Sequence, residues 1–397
     1  MGEVVGLQAL TDHAEGSGGP LIFISAAEPS ADLHGEALIR ATLRRCSNAR
    51  FVGVAGPRMV EAGCEPIFDM TRHSAMLLGV LKVVGQGIAM LTTSDQHLRR
   101  YPFDAAVVID SPVLHLALSG RANALGIPVL YYVAPQIWAW GSSRIHKLRN
   151  QVDRVAAILP FEQDFFRHHG VEATYVGHPL AERWAVQTVD EKIVADIRAS
   201  GGPIVALLPG SRTHVVQEVL RGQLEVAERI AAVFPKAAFG VSVANKQVAP
   251  VVDSVLATSH LRVRRFPQCR TELVRAADLV LVASGTASLE VAFNGRPMIV
   301  MYNASRVFYH LFGRWMIRTP HLSLPNILAG REIVPEFMPY FTSAIPIAER
   351  AIELLRRDDL RERMMDDLKA VTEPLRSTRA SERTAEILLG LVERSHS

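Results

Sequence analysis

The chain has 397 residues, a length that suits two α/β-sized domains better than a single core. Apolar residues make up 49% and charged residues 21%, the balance of a globular protein with a large interior, which excludes disorder beyond the ends. The 43 basic residues nearly match the 40 acidic ones, and a formal net charge of +3 excludes a nucleic-acid coat.

The first nineteen residues lack the basic start and apolar centre of a signal peptide and are expected to form a disordered tail. Cys46, Cys64 and Cys269 are scattered, without CxxC or Cys/His spacing. That pattern favours a reducing cytoplasm and supports neither a disulfide framework nor a zinc site. Short β-branched runs then recur at 20–24, 49–56, 104–110, 128–133 and 153–159, with helical patterns between them. Runs that are apolar on both faces predict a parallel sheet covered by helices on each side. A second series follows at 203–210, 238–244, 262–267, 278–285 and 297–302. The fold class is therefore α/β, with two Rossmann-like domains over 20–188 and 189–345. The strand-free stretch 176–203 places their junction near 185–200, and the charged, helix-forming segment 346–397 closes the chain. Residues 75–91 are the most apolar longer stretch, but Lys82, Gln86 and three glycines interrupt it. It falls short of a spanning helix and reads either as a core helix or as a patch that touches acyl chains.

Open α/β sheets bind ligands beyond the carboxyl ends of their strands, so the strand ends are the places to look for function. The first such turn, ISAAEPSADLHG at 24–35, has no glycine before Gly35 and holds Glu28, Pro29, Ser30 and Asp32 instead. Asp110 ends AAVVID and is followed by Ser111 and Pro112. A carboxylate at a strand end suits either a general base or a helix cap. His115, alone nearby, reads as packed or solvent-facing. Two tryptophans precede Arg144, His146, Lys147 and Arg149 within 131–149, which fits a lipid-and-phosphate surface or a packed domain edge.

In LLPGSRTHVVQE (207–218), backbone N–H groups at Gly210 and Ser211 would approach an anion, and Arg212 would grip phosphate oxygens. The alternative is a tight turn with a solvated arginine. VASGTASLE (282–290) repeats the arrangement with Ser284, Gly285 and Thr286 ahead of a helix. Glu290, one turn inside that helix, is placed to accept from a sugar hydroxyl, while ordinary capping would explain the two hydroxyl residues. Asn326, Arg331 and Glu332 cluster in the proline-bounded segment 322–338, either a binding loop or a buried hydrogen-bonded hinge.

Taken together, RFVGVAGPRMVEAGCE (50–65), VAPQIWAW (133–140), LPFE (159–162), VGHPL (176–180), LLPGSR (207–212), ASGTASLE (283–290) and SLPNILAGRE (323–332) resemble the lipid-A-disaccharide synthase family. The resemblance runs in order from about residue 21 to 340. It implies a GT-B glycosyltransferase whose two Rossmann-like domains face each other across a cleft, with the C-terminal helices crossing back to the first domain. The implied reaction joins UDP-2,3-diacylglucosamine to 2,3-diacylglucosamine 1-phosphate with inversion, giving the β-1,6-linked lipid A disaccharide 1-phosphate and UDP. It also implies work on the cytoplasmic face of the inner membrane as a peripheral protein, no cofactor or catalytic metal, and room for a homodimer through the C-terminal helices.

On this resemblance Asp110 is the base and Arg212 neutralises the diphosphate. Gly210, Ser211, Ser284, Gly285, Thr286 and Glu290 hold phosphate and ribose, with Asn326 and Glu332 as further nucleotide-side candidates. Glu28, Ser30, Asp32 and Arg144 face the acceptor, and Leu78, Leu81 and Val84 meet acyl chains or membrane. The family usually reads GExSGD and IDAPDFN where this chain has AEPSAD and IDSPVLH, so Val113 and His115 replace an aspartate and an asparagine. The acceptor side is thus altered and the nucleotide side intact. Competing readings are an enzyme that keeps the UDP-sugar site but takes another acceptor, a 2-epimerase on a related fold, and a non-catalytic UDP-sugar-binding paralogue.

Overall fold

The computed structural model describes residues 18–69, 80–138, 144–303, 320–376 and 379–395. Most of the expected N-terminal tail lies outside them. The chain divides into two compact units, residues 1–182 with 378–397, and residues 183–377.

In the first unit, β1 (Leu21–Ala26), α1 (Pro29–Arg45), β2 (Arg50–Val54), α2 (Pro57–Glu61), β3 (Cys64–Phe68), α3 (Val80–Arg100), β4 (Ala105–Ile109) and α4 (Pro112–Ala124) come first. They are followed by β5 (Val129–Tyr132), α5 (Ile145–Gln151), β6 (Arg154–Ala157), α6 (Pro160–His168), β7 (Ala173–Tyr175) and α7 (Pro179–Val186). The seven strands lie in the order β3-β2-β1-β4-β5-β6-β7, and all pair in parallel. Alternation along β1 explains the two-sided burial. Ile22, Ile24 and Ala26 join one core with Leu38, Ile39 and Met59, while Leu21 and Phe23 join the other with Leu98, Leu118 and Phe166.

The second unit contains α8 (Glu191–Arg198), β8 (Ile204–Leu208), α9 (Thr213–Val233), β9 (Ala238–Ser242), α10 (Ala249–Leu256), β10 (Val263–Phe266) and α11 (Arg270–Ala276). After them come β11 (Leu279–Ala283), α12 (Thr286–Phe293), β12 (Met298–Met301), α13 (Leu324–Ala329), β13 (Glu336–Phe337), α14 (Ile345–Arg356) and α15 (Asp358–Arg376). Its strand order is β10-β9-β8-β11-β12-β13, again parallel. All ten strands expected from the apolar runs are present. The three that were not expected, β3, β7 and β13, are sheet edges. Edge strands are short and polar on their open side, so β3 carries a proline and β13 spans two residues.

The boundary falls a few residues earlier than expected because α7 straddles it. Trp184, in the second half of that helix, stacks on Phe293 at 5.8 Å, and the Arg376 guanidinium lies 4.0 Å from the Trp184 ring centre. Only the last C-terminal helix, α16 (Ala380–Ser395), belongs to the first unit, whereas α14 and α15 belong to the second. Leu388 and Val392 of α16 enter the core beneath α1, and Arg44–Glu382 and Arg45–Glu386 pairs at 2.5 and 2.6 Å border the contact. The Ser381 amide donates to Glu182 at 2.9 Å. By contrast, Ile347 and Leu354 of α14 and Met364 and Leu368 of α15 are buried in the second unit.

Leu78 lies outside the described residues, and Leu81 and Val84 fall within α3. No described helix is long and apolar enough to cross a membrane.

Candidate active site

In each sheet the strand order reverses at one place, between β1 and β4 in the first unit and between β8 and β11 in the second. Loops leaving such a switch point diverge to opposite faces and open a crevice at the carboxyl ends. The β1–β4 register pairs Ala26 with Ile109, so the turn holding Glu28 and the turn holding Asp110 leave side by side. The β8–β11 register pairs Leu208 with Val282, which does the same for Gly210–Arg212 and Ser284–Thr286.

The first crevice is built on strained backbone. Asp110 and Ser111 both adopt the left-handed region, at φ 58° and 47°, although neither is glycine. Each such residue costs about 1 to 2 kcal/mol and needs compensation. Here the Asp110 carbonyl accepts from the Tyr131 hydroxyl at 2.7 Å and from His115 Nδ1 at 2.7 Å. Since a carbonyl only accepts, the His115 proton sits on Nδ1, and Nε2 accepts from the Ser25 hydroxyl at 2.9 Å. Burial holds His115 neutral and lowers its pKa to about 4. The histidine is packed, as one reading of the sequence had it, yet it packs against the backbone of the candidate base.

Asp110 itself is half-buried, and its charge and that of Arg144 both act on the Tyr131 hydroxyl. Arg144 is exposed at the start of α5. Glu28 and Ser30 remain at the surface of the first turn, half-buried and exposed, and Val113 is exposed nearby.

Asp32 departs from its expected role. It is buried, and its two carboxylate oxygens accept from the amides of Arg58 and Met59 at 3.1 Å each. These are the first-turn N–H groups of α2, so Asp32 caps that helix from across the unit. Gly35 completes the junction, because a Cβ there would lie 2.4 Å from the Met59 sulfur. Trp138 packs as a domain-edge residue: it meets Phe161 edge-on at 4.9 Å and donates from Nε1 to buried Glu162 at 3.0 Å. Glu162 also accepts from the amides of Ile158 and Leu159, and burial pushes its carboxyl up to about 7 against those donors. His178, buried beside His34, is held neutral by burial with its pKa lowered to about 3.

In the second crevice the turns are built on glycine. Gly210 has φ 111°, and a Cβ there would lie 3.3 Å from Val215 and 3.7 Å from Ala283, so the turn after β8 rests on the end of β11. Ser211 and Arg212 are exposed, and Arg212 is the N-cap of α9 without a side-chain cap of its own. Gly285, at φ 128°, is the N-cap of α12, so neither Ser284 nor Thr286 caps this helix. Both helices start at these turns, which brings their first-turn amides and the positive end of each dipole to the carboxyl ends of β8 and β11. Buried Glu290 forms a two-pronged pair with Arg270 at the start of α11, with Nε to Oε1 at 3.0 Å and the second prong from Nη2 to Oε2. Arg270, at the carboxyl end of β10, was not anticipated; its position just after the strand in RFPQCR was the available signal.

Asn326 also departs from expectation. Its amide donates to Val334 O and Glu336 Oε2, and its oxygen accepts from the amides of Ile333 and Val334. Those four bonds exhaust an asparagine, leaving none for a nucleotide. The segment is the buried hinge of the two readings, with Glu336, unnoticed in the sequence, accepting also from the amides of Leu322 and Ser323. Glu332 is exposed, and exposed Arg331 pairs with Asp367 at 2.6 Å.

The fold has close counterparts. The Staphylococcus aureus MnaA–UDP co-structure superposes with a TM-score of 0.63 at 14% identity, covering 94% of this chain and 97% of that one. UDP-GlcNAc 2-epimerase from Neisseria meningitidis bound to UDP-GlcNAc gives 0.61 at 13%, covering 94% and 99%. At such identities the likeness is one of fold, that of two Rossmann-like domains. Sequence relatives say more. A lipid-A-disaccharide synthase of Nitrosococcus oceani is 34% identical over 378 residues, 94% of this chain and 97% of its own length. One of Anaeromyxobacter dehalogenans is 36% identical over 383 residues, with 94% and 97% covered. The lipid-A-disaccharide synthetase family model matches residues 22–388, through both crevices and into α16, and the chain belongs to that family.

Proposed function

We propose that the chain joins UDP-2,3-diacylglucosamine to 2,3-diacylglucosamine 1-phosphate, releasing UDP and forming the β-1,6-linked disaccharide 1-phosphate. The acceptor 6-hydroxyl attacks the anomeric carbon of the donor as its proton passes to the Asp110 carboxylate. The bond from that carbon to the diphosphate breaks in the same displacement, which inverts the centre. Arg212 and the first-turn amides of α12 take the charge that develops on the leaving UDP. The Glu290–Arg270 pair lines the nucleotide side, and Glu28, Ser30 and Arg144 the acceptor side. Asn326 takes no direct part, since its four hydrogen bonds are engaged within the fold, and buried Asp32 serves as the cap of α2.

The observation that carries this reading is the gathering of Asp110 at one switch point and of Gly210, Arg212 and Gly285 at the other, on a chain of this family. The epimerase reading rests on fold likeness alone and is not favoured. The test is incubation of the purified chain with both acylated substrates in detergent micelles, followed by mass spectrometry for the disaccharide. Its formation, and a loss of about 10²- to 10⁴-fold in Asp110→Asn with UDP binding retained, is the expected result. UDP binding without product would favour the non-catalytic paralogue.

The acyl chains of both substrates also call for a peripheral site on the inner membrane, which we place at Leu78, Leu81 and Val84. Replacing these three with serine is expected to weaken binding to phospholipid vesicles; unchanged binding would remove the assignment.

A further inference from the structure

The Asp110 carbonyl is held by two buried side-chain donors, one of them backed by a third buried residue. His115 reaches back from the first turns of α4, Tyr131 reaches across from β5, and Ser25 fixes the far side of the imidazole from β1. All three are buried, and the carbonyl on which His115 and Tyr131 converge belongs to the first of two consecutive left-handed residues. A left-handed turn at a non-glycine residue reverts to an extended or right-handed one unless it is tied down. Reversion would rotate the Cα–Cβ bond of Asp110 and swing its carboxylate away from the crevice.

We infer that His115 is a positioning residue: donating from Nδ1 to the Asp110 carbonyl, with Tyr131 as the second donor, it fixes the left-handed turn that aims the Asp110 carboxylate at the acceptor hydroxyl. The inference rests on the reading of Asp110 as the base. It also explains how an imidazole stands where the family usually has an asparagine. An asparagine amide at this position would present a donor at the place of Nδ1, and the ring adds the second contact to Ser25. General-base catalysis falls steeply with misplacement of the reacting groups, so loss of the tie acts on turnover rather than on donor binding.

The test uses the full chain with four substitutions, His115→Leu, His115→Asn, Tyr131→Phe and Asp110→Asn, measured for kcat, KM of the UDP-sugar, UDP affinity and thermal unfolding. His115→Leu is expected to lower kcat by about 10- to 100-fold with KM for the donor and UDP affinity within about twofold. His115→Asn should keep kcat within about threefold of the parent, because it keeps the donor. Tyr131→Phe should fall between them, and it carries the test alone if His115→Leu does not fold. Equal loss in His115→Asn and His115→Leu would overturn the inference, since ring shape and not donation would then matter. So would unchanged kcat in both His115→Leu and Tyr131→Phe while Asp110→Asn is inactive. Parental turnover in Asp110→Asn would instead remove the base assignment itself, whatever the histidine variants do.

Discussion

At the end of β8 the chain turns on Gly210 at φ 111°, whereas at the end of β4 it turns on Asp110 and Ser111 at φ 58° and 47°. The first turn needs no support, because glycine enters the left-handed region without a Cβ penalty. The second needs Tyr131, His115 and Ser25 behind it. A crevice that grips an anion is made of backbone amides and requires close approach, which glycine gives. A crevice that aims a carboxylate requires a side chain at the turn, and its strain is met by buried hydrogen bonds. That contrast fits the division of chemistry proposed for the two units and locates where this chain has changed relative to its family.

After Asp110→Asn, the largest expected effect is at the anion side. Arg212→Ala should lower turnover by about 10²- to 10³-fold, near 3 to 4 kcal/mol of transition-state stabilisation, and weaken UDP binding. Retained turnover, followed by mass spectrometry of the disaccharide, would mean that the amides of α12 suffice without a cation.

Two buried polar residues test the structural side of each unit. Asn326→Ala strips partners from the Ile333 and Val334 amides and should destabilise the second unit by about 3 kcal/mol in denaturant unfolding. A proton-linked effect of similar size separates the units further. Unfolded, a histidine titrates near 6.5, whereas folded His115 titrates near 4, so its contribution is complete above 6.5 and is lost as pH falls towards 4. Relative to His115→Asn, the parent chain should lose about 1.4 kcal/mol per pH unit across that window, about 3 kcal/mol in all. A difference that does not vary with pH would mean that His115 is not held neutral.

Asp32→Ala is the smallest of these changes. Losing the cap on α2 should cost about 1 to 2 kcal/mol of stability, with kcat of the folded fraction close to the parent. A large fall in kcat without a change in unfolding would return Asp32 to the acceptor site.

The opening turn and the SLPNILAGRE segment show where sequence reading runs out. Asp32 and Asn326 both stand in family-like motifs, and spacing alone cannot tell a polar residue that meets a ligand from one that caps a distant helix or closes a loop. The partners of Asp32 are 26 and 27 residues away, and no local pattern announces them. Tyr131 and Ser25 look like ordinary strand residues. Their importance appears only when β1, β4 and β5 lie side by side.

What the sequence determined by itself is the set of central strands, the two α/β halves, the positions of the strand-to-helix turns at PGSR and SGTAS, and the family. Apolar periodicity and local turn chemistry are written in neighbouring residues, so they are legible there. Tertiary structure alone decided the edge strands, the assignment of α14 and α15 to the second unit, and the hydrogen-bond partners of Asp32, Asn326 and His115. Each of those depends on hydrogen bonds or packing between segments distant in the chain, and such pairings exist only once the sheets have set their strand order.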